Sequence, residues 1–138
     1  MSEDRITELS ADDRTWLRRA EEHVLKMLRA KYKFDDFTRS EGDLRALQRL
    51  VDDRVVTAPD VLGAQCMGVA LGNVFVEELA MQWKRVANGF GDMISLHDDA
   101  SGFTYYPLTM VSKRLEDGRS VDLVGIYRDL AATLRSNR

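Results

Sequence analysis

The stretch VLGAQCMGVALGNVFV, Val61 to Val76, holds no charged side chain, yet it contains three glycines, Gly63, Gly68 and Gly72. Its apolar residues fall on nearly every face of a helix, which marks a helix surrounded by protein. Pro59-Asp60 opens it and Glu77-Glu78 closes it, so the spacing predicts a helix from about Pro59 to Ala80. Each glycine costs about 1 kcal/mol against alanine in a helix interior. Close approach of other backbone segments would offset that cost. Gly68-xxx-Gly72 is therefore read as a point of intramolecular contact, and the other elements are expected to wrap around this helix.

Upstream, Met1 to Leu9 reads as a loosely ordered lead-in. Ser10 has the character of an N-cap, with Asp12 and Asp13 in the first turn, where the helix dipole favours negative charge. Trp16, Leu17, Ala20, Val24, Met27 and Leu28 then recur at helical spacing, to an end near Lys31 to Lys33. A second helix is expected from about Glu41 to Val55 on Leu44, Leu47, Leu50 and Val51. Downstream the period changes from helix to strand. Trp83–Val86, Met93–His97 and Phe103–Tyr106 read as three short antiparallel strands, joined by the turn clusters Asn88–Asp92 and Asp98–Gly102. Leu108–Leu115 is either a short helix or an extended crossing, and a last helix runs from about Val121 to Leu134. The predicted fold class is α+β: N-terminal helices, a buried central helix, a three-stranded meander and a C-terminal helix.

The chain has 138 residues, 44% hydrophobic and 31% charged, with a formal net charge of -3. This length favours a single domain spanning 1–138, large enough to fold without staples. The charge gives no reason to expect nucleic acid. The lone Cys66 excludes an intrachain disulfide and suits a buried small hydrophobe. The acidic N-terminus lacks the apolar core of a signal peptide, and the Val61–Val76 run is short for a membrane span, so a cytoplasmic location is expected.

GVALGNVFVEEL (Gly68–Leu79), the strand beginning at Trp83, the turn around Asn88–Asp92 and FTYYPLTMVSKRLEDG (Phe103–Gly118) together resemble a family known as domain of unknown function 3806. The resemblance covers about Leu62 to Leu134, and its most specific part is the proline followed by Thr109-Met110-Val111-Ser112-Lys113-Arg114. It implies a small bacterial cytosolic α+β domain. It implies no activity, so no catalytic residue is carried over.

Chemistry-bearing constellations are sparse. His97-Asp98-Asp99 has ligand-type side chains, but neighbours on a strand point to opposite faces, and His23 would have to join from the first helix. The bland reading, a polar strand end entering a turn, is preferred, and no metal is assigned. Gly89-Phe90-Gly91 lacks both the GxxxxGK[ST] and the GxGxxG pattern, so no cofactor is expected. No GxSxG nucleophile motif is present. Tyr105, Tyr106, Lys113 and Arg114 are the candidate interaction surface, since arginine offers a fork and lysine a point charge to an anion. The expected function is a non-enzymatic module that binds another protein, of adaptor or toxin-neutralising type. A homodimer formed through the sheet edge is a further option. The alternative is a small-ligand or anion sensor, or an enzyme, with Asp98, Asp99, Lys113 and Arg114 near the sheet.

Overall fold

The computed structural model of the protein describes residues 4–89 and 91–138. Their elements run β1 (Arg5–Thr7), α1 (Ala11–Tyr32), α2 (Glu41–Asp52), α3 (Val61–Leu79), β2 (Gln82–Asn88), β3 (Gly91–His97), β4 (Thr104–Tyr105), α4 (Pro107–Glu116) and α5 (Leu123–Asn137). The fold class is α+β, as expected.

The caps explain where the helices start. The Ser10 hydroxyl accepts from the Asp13 N–H at 3.0 Å, and the Asp13 carboxylate accepts from the Ser10 N–H at 3.0 Å, a closed capping box at the head of α1. Helix α3 begins two residues later than predicted: Pro59 lies ahead of it rather than in its first turn, and Asp60 caps it, its Oδ1 accepting from the Gly63 N–H at 2.9 Å. Helix α2 ends at Asp52, short of the predicted Val55. Arg54 turns into the left-handed region (φ 56°), and the N–H groups of Val55 and Val56 both reach back to the Leu50 carbonyl. The undecided segment Leu108–Leu115 is helical, with Pro107 in its first turn.

Helix α3 is enclosed. Twelve of its residues between Gly63 and Phe75 are buried, and α1, α2, α4 and α5 all contact it. Its two ends are open, Val61 and Leu62 being exposed at the first and Glu77 and Glu78 at the second. The two inner glycines are close-approach points. A Cβ on Gly68 would stand 2.8 Å from the Pro107 carbonyl carbon, and one on Gly72 would overlap the Trp83 ring. Both positions therefore admit a neighbour that alanine would displace. Asn73, buried in the same helix, uses both ends of its amide. It accepts from the Trp83 indole N–H at 2.9 Å and donates to the Glu21 carboxylate at 2.5 Å, tying α1, α3 and β2 together.

The sheet is antiparallel in the order β1-β2-β3-β4, so the expected meander of three strands gains a fourth. The addition comes from the segment expected to be loosely ordered. Arg5 pairs with Ala87, Ile6 with Val86 and Thr7 with Arg85, and Glu8 just beyond forms an ion pair with Lys84. A three-residue strand carries no legible alternation of its own and is specified by its partner. Met1–Glu3 of that segment, and Phe90 of the predicted turn, lie outside the described residues.

Candidate functional site

Strand register divides the sheet into two faces. Trp83 opposes Leu96 and Arg85 opposes Ile94, and this face meets α1 and α3. Arg85 donates to the buried Asp13 carboxylate at 2.7 Å and to Asp92 at 2.9 Å. The guanidinium, with help from the Ser10 N–H, holds the Asp13 carboxyl down to about 2. Val86 opposes Met93 and Asn88 opposes Gly91 on the other face.

Above that second face, a cavity of about 530 Å³ opens between β2, β3 and α4. Val86, Gly91 and Met93 supply its apolar part. Tyr106 and Thr109 bring hydroxyls, Asn88 an amide, Lys113 an ammonium and Asp4 a carboxylate. Tyr106 immediately precedes α4, and its phenol oxygen accepts from the Asn88 amide at 3.3 Å, which leaves the phenol proton for another acceptor. Thr109 and Lys113 lie one turn apart and so project from the same side of α4. Lys113 has no ion-pair partner among the described residues.

The predicted surface residues thus separate into two pairs. Tyr106 and Lys113 meet at the cavity. Tyr105 turns the other way and lies edge-on to Phe75 of α3, with ring centroids 5.8 Å apart; burial raises its phenol pKa and Arg114 opposes the shift. Arg114 donates to the Met110 carbonyl at 3.4 Å. Asp98 is spent on the fold: it accepts from Arg138 at 2.9 and 3.1 Å and from the Ser101 hydroxyl at 2.5 Å. Arg138, then Ser101, lower its pKa. Asp99 is exposed, 3.5 Å from His97 Nε2, while His97 Nδ1 faces the Thr104 hydroxyl at 3.1 Å. His97 and Asp98 therefore serve separate partners. No cluster of three metal-ligating side chains occurs among the described residues. Cys66 is buried, and desolvation raises its thiol pKa.

Residues 43–127 match the family model described as Domain of unknown function (DUF3806). The chain belongs to this family. Within the DUF3806 region lie all but the first two residues of α2, then α3, the strands β2 to β4, α4 and all of the cavity lining except Asp4. A crystal structure from Bacteroides thetaiotaomicron VPI-5482, at 1.50 Å resolution, is similar in fold, with a TM-score of 0.82 at 17% identity. The likeness covers 92% of the present chain, which spans 47% of the length of the other. No curated protein matches the sequence. Among the described residues, no helix is long and apolar enough to cross a membrane.

Sequence reasoning missed Val86, Asn88, Met93 and Thr109 as cavity residues. Strand alternation places Val86 and Asn88 on one side of β2, but which side stays clear of the helices depends on where α3 docks.

Proposed function

We propose that this DUF3806 protein is a non-catalytic binding module of the bacterial cytoplasm, and that the Tyr106–Lys113 cavity receives a segment of another protein. The carrying observation is the lining: an apolar floor of Val86 and Met93 beside the Lys113 ammonium, which has no ion pair among the described residues, with the Asp4 carboxylate and the Tyr106 and Thr109 hydroxyls also on the wall. Such a surface seats an apolar side chain and a neighbouring carboxylate together. The displaced ionisations support binding over catalysis. Glu8, Asp13 and Asp98 are all lowered and Cys66 is raised. Those shifts hold the three carboxyls ionised and the thiol protonated at neutral pH, so none of the four is poised as a general acid or a thiolate. A buried unpaired thiol also suits a reducing compartment.

A photo-crosslinking residue at Thr109, set against one at Arg128 on α5, tests the reading in living cells. A single adduct at Thr109, lost on adding Lys113→Glu, is the expected result. Adducts at Arg128 alone, or none at either position, would refute it. An adduct with a second copy of the chain would make the module a self-associating one. The cavity volume favours a second reading, a small carboxylate ligand, because it falls within the range of small-molecule sites. Thermal stabilisation by small carboxylates, abolished by Lys113→Ala and without any Thr109 adduct, would select that reading.

A further inference from the structure

On the opposite face of the sheet, where α1 crosses β2, lies a cavity of about 480 Å³ lined by arginines in a chain whose net charge is -3. Arg14 and Arg18 reach it from α1, spaced one helical turn apart, and Arg39 reaches it from the connection between α1 and α2. Arg39 is held in place by its backbone: its N–H donates to the buried Asp43 carboxylate at 2.7 Å, and it adopts a left-handed φ of 54°. Its guanidinium crosses to Glu21 at 3.0 and 3.3 Å. Among the described residues Glu21 is the one carboxylate lining the cavity, and both its oxygens accept hydrogen bonds, from Arg39 and from the Asn73 amide.

That leaves the guanidiniums of Arg14 and Arg18 without a hydrogen bond or ion pair among the described residues, both lining the same cavity. The other acidic groups nearby are already engaged or more distant. Glu8, whose pKa Arg14 helps lower, is bonded to Lys84, and Glu77 acts on Arg39 only through space. The cavity therefore presents three guanidiniums against one carboxylate, with Leu9, Leu17 and Trp83 as apolar wall.

We infer that this cavity is an anion site for a small organic phosphate monoester, independent of the Tyr106–Lys113 cavity. Two guanidinium forks match a tetrahedral dianion, and the Trp83 and leucine wall takes the organic part. Titration calorimetry of the full chain at fixed ionic strength, with inorganic phosphate and with adenosine 5′-monophosphate, tests the assignment. Both should bind saturably, the nucleotide more tightly. Arg14→Gln with Arg18→Gln should weaken both by at least roughly tenfold. The melting temperature of that ligand-free variant should stay unchanged, because neither side chain holds the fold together. Lys113→Ala should leave both affinities intact. Absence of saturable phosphate binding, binding that survives the double substitution, or succinate binding as tightly as phosphate would overturn the assignment. Equal affinity for phosphate and nucleotide would remove the organic part.

Discussion

Gly68 is the residue on which the interior turns. Its missing side chain is the space that the Pro107 carbonyl occupies, and the neighbour there is backbone, which cannot rotate away. Gly68→Leu is therefore expected to destabilise the protein by about 1–3 kcal/mol through overpacking, read as a lower urea midpoint. An unchanged midpoint would mean that α4 does not dock at this point. Asp13 gives a second prediction at this scale. Arg85 and the Ser10 N–H lower it from an ordinary 3.8 to about 2. The folded pKa lies below the unfolded one, so the carboxylate's stabilisation is complete above roughly pH 4 and is lost as pH falls through about 2. Asp98 shifts in the same direction and adds to the same acid window. Asp13→Asn should lower the urea midpoint above pH 4 and flatten its fall toward pH 2, measured at stepped pH. An equally steep fall in the variant would assign the acid response elsewhere.

The ends of the elements show what local sequence encodes and what it does not. Helix α3 stops at Leu79 because Ala80 enters the left-handed region (φ 57°), a conformation that glycine adopts without strain. Arg138 donates to the Leu79 carbonyl there while also holding Asp98, so α5 secures the end of α3. Ala80→Gly is expected to raise stability by about 0.5–1 kcal/mol, visible as a higher urea midpoint. A lower midpoint would show that Ala80 is not strained. The Ser10 cap, the apolar repeat of α1 and the glycine run of α3 are legible because each rests on residues close in sequence. Strand β1 was not legible, since Arg5–Thr7 becomes a strand only by pairing with residues some eighty positions away. For the same reason Tyr106 and Lys113 could be singled out from the sequence, whereas Val86 and Met93 could not. Their cavity exists because β2, β3 and α4 converge.

Taken whole, the molecule is a hub helix with a sheet against one side, and the sheet's two faces carry different chemistry. The face toward α1 carries the arginine cavity, and the face away from it carries the apolar cavity with Lys113. Both depend on α3 holding α1, β2 and α4 in fixed relation through Gly68, Gly72 and Asn73. Native-state hydrogen exchange across α3 tests that dependence most directly. The amides from Met67 to Phe75 should exchange only through global unfolding, with opening free energies equal to the stability measured by urea. Exchange of those amides at rates typical of frayed helix ends, under conditions where the protein stays folded, would contradict an enclosed hub.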